Sequence, residues 1–182
     1  MMVGPGDVLL TRGTGWVPRL IRLDAAAVGK PTSGNHIAVL HHRDHDGTWW
    51  AIEGRPQGIG WADARRYLDS RETITNVGQP KTDRQRQEIT AAAERMLGVT
   101  YDWRAVLTDA LMVAHLQSLT NRRWRTQAAP GHVVCSSLAA YLYHRAGLDH
   151  PTDHKPRYTT PADWEDFITR RGYAQPTTSR PG

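Results

Sequence analysis

Gly131-His132-Val133-Val134-Cys135-Ser136-Ser137-Leu138-Ala139-Ala140-Tyr141-Leu142 is the stretch on which the reading of this chain turns, and it holds the single cysteine. The apolar pair Val133-Val134 leads into Cys135. Beyond it Leu138, Tyr141, Leu142 and Ala146 recur at helical spacing, and Gly147 stands where a helix would stop. The pattern predicts an amphipathic helix with Cys135 in its first turn. Free backbone N–H groups and the positive end of the helix dipole favour thiolate over thiol at such a position. The competing reading is a buried structural cysteine, because free Cys is among the most buried residue types.

Upstream, Asn35-His36-Ile37-Ala38-Val39-Leu40-His41 and Thr48-Trp49-Trp50-Ala51-Ile52-Glu53 read as the two strands of a hairpin around the turn signal Asp46-Gly47. If His41 pairs with Thr48, His36 faces Glu53 directly. A tight two-residue turn instead slides Glu53 opposite Leu40, leaving the two polar residues some four residues out of step. At ~3.4 Å per residue they could not then touch. Both registers put His36 and Glu53 on one face of the sheet, and the sequence leaves the choice open.

Around this pair the remaining elements fall into place. Asp7 to Thr11 reads as a short buried strand, Trp16 to Leu23 as a short helix or turn, and Gly54 to Gly60 as turn-rich. Trp61 to Leu68 has the pattern of a short helical turn, and Thr73 to Val77 of a further strand. Thr82 with Gln85 makes a capping box for a helix whose stripe is Ile89, Ala92, Ala93, Met96 and Leu97, stopped by Gly98. A second helical run extends from Tyr101 to about Gln117. Thr160-Pro161 starts a last helix with Trp164, Phe167 and Ile168 facing in, and Gly172 ends it. Residues 1–173 are expected to form one domain, and 174–182 a disordered tail.

The chain of 182 residues is long enough to bury a core without staples, and its one cysteine excludes an intramolecular disulfide. Met1 to Leu23 is broken by Gly4, Pro5, Gly6, Asp7, Arg12 and Pro18, so it does not read as a signal peptide. No apolar run approaches the ~20 residues of a membrane span. The expectation is a protein soluble as made, cytoplasmic or virion-associated. Lys and Arg number 23 against 18 Asp and Glu, a net charge of +5 that suits an anionic partner. Arg122-Arg123-Trp124-Arg125 could bind the phosphates of nucleic acid, but a solvated loop explains that cluster more readily.

A thiol hydrolase needs a thiolate, an imidazole to move its proton, a group to orient that imidazole, and N–H donors for the oxyanion. Cys135 can supply the first and part of the last, His36 the second, and Glu53 the third. Taken singly, a strand histidine and a strand-end glutamate are more often structural or solvated; the conjunction carries the reading. His132 is a rival base, though residues flanking a helix start rarely meet head-on. His41-His42-Arg43-Asp44-His45 is dense in metal-ligating side chains but shows no ligand spacing for zinc, and a solvated loop is the preferred account. No metal and no cofactor is expected.

The order Gly6-Asp7-Val8-Leu9-Leu10, Asn35-His36-Ile37-Ala38-Val39, Ala51-Ile52-Glu53-Gly54, Gly98-Val99-Thr100-Tyr101-Asp102 and Val134-Cys135-Ser136-Ser137-Leu138 resembles a known family. It is the circularly permuted branch of the NlpC-type papain-like cysteine hydrolases, the YiiX/YebB-like group, in which histidine and its acidic partner precede the cysteine. The resemblance covers roughly residues 4–170. It implies an α+β fold, a small antiparallel sheet packed against helices, with Cys135 as nucleophile, His36 as base and Glu53 as orienting residue. Tyr101 and Ser136 are expected at the substrate. Ser136-Ser137 departs from the acidic or bulkier residue of many relatives, and the insert from Leu116 to Pro130 also differs. The implied activity is cleavage of an amide bond, with a peptidoglycan peptide first and a lipid acyl bond second. A phage tail would be one setting. An inactive structural or assembly module of the same fold is the alternative from another class.

Overall fold

The computed structural model describes residues 3–12, 32–55, 57–70, 73–100, 135–151 and 159–176. Along the chain it shows β1 (Val8–Thr11), β2 (His36–Arg43), β3 (Trp49–Arg55), β4 (Gly58–Asp63), α1 (Arg65–Leu68), β5 (Ile74–Thr75), α2 (Asp83–Glu94), α3 (Cys135–Arg145), α4 (Pro161–Arg170) and β6 (Gln175–Pro176). The strands form one antiparallel sheet in the order β4-β3-β2-β1-β5-β6.

Period-two alternation divides the apolar side chains between two faces. On one face Val8, Leu10, Ile37, Val39, Ile52 and Ile59 pack against Ile89 and Ala93 of α2, Leu138, Leu142 and Tyr143 of α3, and Trp164 and Ile168 of α4. On the other, Leu9, Ala38, Leu40, Ala51 and Ala62 are covered by Tyr67 and Leu68 of α1. Small residues on this second face let one helical turn lie close to the sheet. The fold is α+β, as expected.

The capping signals at Thr82 and Thr160 hold, but α2 ends at Glu94, so Met96 and Leu97 of its expected stripe lie in the turn that follows it. Thr82 caps α2 and Thr160 caps α4, each with a reciprocal capping box, to Gln85 and Asp163 respectively. Among the described residues the helix carrying Cys135 runs over Cys135–Arg145, and its stripe differs from expectation. Tyr141 is 37% exposed, while Tyr143 is fully buried against Trp164. Leu138, Leu142 and Ala146 keep the i, i+4 row, and the aromatic one position beyond Leu142 takes the place assigned to Tyr141.

The turn-rich reading from Gly54 to Gly60 is corrected. Gly58 to Asp63 is a strand paired along β3, and only Arg65–Leu68 of the expected helical turn is helical. Gly58 sits at φ 121°, where a Cβ would lie 3.0 Å from the Val99 carbonyl oxygen. Glycine here serves a close approach between strand and loop rather than a turn. The strand expected from Thr73 to Val77 pairs only over Ile74–Thr75. Gln175–Pro176, assigned to the tail, pair with it as β6. Trp16 to Leu23 and Tyr101 to Gln117 lie outside the described residues.

The hairpin takes neither expected register. Asp44 N–H bonds the Thr48 carbonyl (2.8 Å), Gly47 N–H bonds the Asp44 carbonyl (2.9 Å), and Gly47 has φ 89°, the pattern of a three-residue loop closed by a left-handed glycine. A bulge between Leu40 and His42 then adds one residue to β2, so that Ala38 stands opposite Glu53. His36 and Glu53 are therefore diagonal neighbours on one face. The shared face was expected; the offset of two residues was not.

Candidate active site

His36 is the first residue of β2 and pairs with Thr11, the last of β1. The β2–β3 ladder starts at Ala38↔Glu53, so His36 stands two residues beyond it, at the end of the sheet. A diagonal separation on a sheet is within reach of long side chains, and His36 Nε2–H donates to Glu53 Oε2 at 2.8 Å. The His36 side chain is also hydrogen-bonded to that of Cys135. Its place at the sheet's end lets one imidazole meet Glu53 on the α1 face and Cys135 of α3, on the opposite face. With Nε2 taken by Glu53, Nδ1 is the ring nitrogen left for the thiol.

The charges of these groups are coupled. Burial pulls the His36 imidazolium down, but the hydrogen bonds with Cys135 and Glu53, and the charges on both, outweigh it and push His36 up to about 10. Glu53 is 2% exposed, and burial alone would raise it. Its bonds to His36, Tyr67 and Arg55 instead bring it down to about 2. A buried carboxylate stays charged only when its lone pairs are filled. Here Oε2 accepts from His36 and from the Tyr67 hydroxyl, and Oε1 from Arg55 Nε and Arg66 Nη2, both at 2.6 Å. Burial and the charge of Glu53 push the Tyr67 phenol well above its ordinary value, so it stays a donor.

Of the expected site residues, Cys135, His36 and Glu53 come together. Ser136 points elsewhere: its buried hydroxyl donates to the Thr159 carbonyl at 2.5 Å, and its own carbonyl accepts from Trp164 Nε1 at 3.1 Å. It ties α3 to the start of α4. Tyr101, the rival base His132 and the Arg122 to Arg125 cluster lie outside the described residues. His41 and His42 face each other, Nδ1 to Nδ1 at 2.9 Å with ring centres 5.1 Å apart, so the two nitrogens meet head-on rather than converging on a third point. Among the described residues no group of three or more His, Cys, Asp or Glu side chains is arranged to hold a metal ion.

Sequence reasoning missed the residues that support the site. Arg55 fell in the stretch read as turn-rich and Arg66 and Tyr67 in the short helical turn. Arg55 lies two residues beyond Glu53 on β3, and it is β4, pairing back along β3 into α1, that brings Arg66 and Tyr67 to Glu53. Glu165 of α4 was also missed. Its carboxylate accepts from the Thr32 hydroxyl, from Ser33 N–H at 2.8 Å and from Ser33 Oγ at 2.6 Å, which fixes the segment leading into His36. Those bonds, with others from the backbone of the same segment, outweigh burial and lower Glu165. A glutamate on the outer row of an amphipathic helix carries no signal that sets it apart from a solvated one.

No protein-family model matches the sequence, and no curated protein does. Among solved structures the chain is similar to YiiX of Escherichia coli O157:H7, described as a metalloprotein, with a TM-score of 0.51 and 16% sequence identity. The fold is YiiX-like. The match covers 78% of this chain and 65% of YiiX, so the chain spans just under two thirds of that protein's length. At this identity the likeness concerns the fold alone.

Proposed function

We propose that the protein is a thiol hydrolase acting through Cys135, His36 and Glu53 on an amide bond. The observation that carries this reading is the single imidazole hydrogen-bonded both to the lone cysteine and to a buried carboxylate. An interaction that raises His36 through the charge on Cys135 favours the thiolate by the same amount, which gives a thiolate–imidazolium pair. Cys135 lies in the first turn described of α3, near the positive end of the helix dipole, which favours thiolate over thiol.

In the first step the Cys135 thiolate adds to the substrate carbonyl. The His36 imidazolium gives its proton to the departing nitrogen, the C–N bond breaks, and a thioester remains. In the second, neutral His36 takes a proton from water as the hydroxyl adds to the thioester carbonyl. The C–S bond breaks and the acid product leaves, restoring the ion pair. Glu53 keeps the imidazole in one orientation and stabilises its charge. A cell-wall peptide is the substrate class favoured by the sequence resemblance and by the net charge of +5; a lipid acyl bond comes second. YiiX is described as a metalloprotein, but the His and carboxylate side chains described here do not converge as ligands, and no step is routed through a metal.

The test is the pH dependence of Cys135 alkylation in wild type and His36→Ala. The expected outcome is enhanced reactivity below pH 7 that disappears in the variant. A thiol that titrates near the free value of ~8.5 in both proteins would exclude the ion pair, and with it the hydrolase.

A further inference from the structure

Arg55 and Arg66 do more than Glu53 requires. Both donate to the same oxygen, Oε1, at 2.6 Å, while His36 and Tyr67 fill Oε2. Each guanidinium spends one nitrogen there, Nε of Arg55 and Nη2 of Arg66, out of five N–H donors. Arg66 is held in place by its bond to the Tyr67 hydroxyl and by stacking 4.5 Å above the Tyr67 ring. The two side chains are 37% and 53% exposed, so their unused edges reach solvent.

Among the described residues the charges of this site do not balance. Two guanidiniums and the His36 imidazolium face one Glu53 carboxylate and one Cys135 thiolate, which leaves a positive charge over. Asp63 also feels Arg66, but it is engaged by Arg65 through hydrogen bonds of 2.5 to 3.0 Å. Among the described residues no other carboxylate pairs with Arg55 or Arg66. A guanidinium fork with free N–H groups matches the geometry of carboxylate and phosphate oxygens.

We infer that Arg55 and Arg66 form an anion subsite beside the Cys135–His36 pair, which receives a carboxylate or phosphate group carried by the substrate. The inference rests on the thiol-hydrolase reading and names its substrate class. One carboxylate and one imidazole separate the guanidiniums from the thiol. The anionic group of an extended substrate would thus lie roughly two residues from the bond cleaved, at ~3.8 Å per residue.

The experiment compares alkylation of Cys135 by N-iodoacetylglycine, whose carboxylate lies a residue beyond the reacting acetyl unit, and by N-iodoacetylglycinamide, which carries no charge there. N-acetylcysteine serves as the free-thiolate reference, and R55Q and R66Q are measured beside wild type. Loss of support at Glu53 slows both reagents alike, so the ratio of their rates reports the subsite alone. In wild type the ratio of N-iodoacetylglycine to N-iodoacetylglycinamide rates should exceed the reference by about fivefold, the scale of a half-exposed charge pair, and fall toward it in each variant. Acetate and inorganic phosphate are then added as competitors. Stronger suppression of the excess by acetate assigns a carboxylate, and stronger suppression by phosphate a phosphoryl group. A wild-type ratio equal to the reference, with Cys135 still reactive through His36, overturns the subsite and leaves the hydrolase standing. A Cys135 inert to both reagents removes the hydrolase reading and the subsite with it.

Discussion

Glu53 gathers four donors on two oxygens and is the residue through which the site's charge can be tested apart from its nucleophile. Its folded value of about 2 lies below the ordinary 4.5. Its charge therefore stabilises the fold above about pH 4.5, and that contribution is lost as the pH falls through about 2. The amount is ~3 kcal/mol. Between pH 5 and pH 2 the urea midpoint of wild type should fall more steeply than that of Glu53→Gln; parallel curves would contradict the assignment. His36 has the opposite sign, since its value is raised from 6.5 to about 10. Its contribution is complete below pH 6.5 and disappears as the pH rises through about 10.

At the scale of elements, the position of His36 depends on the start of β2, and α4 holds that start. Glu165→Gln replaces a two-oxygen acceptor by one carbonyl oxygen, which cannot serve the Thr32 hydroxyl, the Ser33 N–H and the Ser33 hydroxyl together. The variant should lose about 1–2 kcal/mol in urea denaturation, and its Cys135 alkylation below pH 7 should slow as the imidazole is less well placed. Gly34 shows the same constraint sterically. A Cβ there would lie 2.5 Å from Leu10 Cγ, a side chain 1% exposed in the core. Gly34→Ala must displace either Leu10 or the segment before His36, so a variant as stable and as reactive as wild type would show that this contact does not position the strand.

Across the whole molecule, a buried polar network joins segments far apart in sequence. Tyr143 of α3 donates to the Gly6 carbonyl at 2.6 Å and accepts from Asn76 Nδ2 at 2.8 Å. Asn76 Oδ1 in turn accepts from Val8 N–H at 2.8 Å, and Lys81 pairs with Asp7 at 2.9 Å, both side chains fully buried. Burial lowers Lys81 although Asp7 works against it. Tyr143→Phe leaves a buried carbonyl and a buried amide each short of a partner. It should cost about 1–3 kcal/mol, measured by chemical denaturation; a loss under 0.5 kcal/mol would mean that water or a shift replaces both bonds. The cluster fixes the edge of α3 to β1, and so the helix that carries Cys135.

What the sequence determined by itself is local. Capping boxes at Thr82 and Thr160, the helix over Cys135–Arg145 and the common face of His36 and Glu53 follow from spacings of three, four and two residues. These belong to the geometry of helix and strand and need no distant partner. The tertiary structure decided the rest. The bulge between Leu40 and His42 and the three-residue loop closed by Gly47 set the register, and a register is a matter of how two strands meet. The four donors on Glu53, the clamp by Glu165 and the meeting of His36 with Cys135 join residues from separate elements. Their packing against one core selects those contacts, because no period in the chain relates one element's side chains to another's.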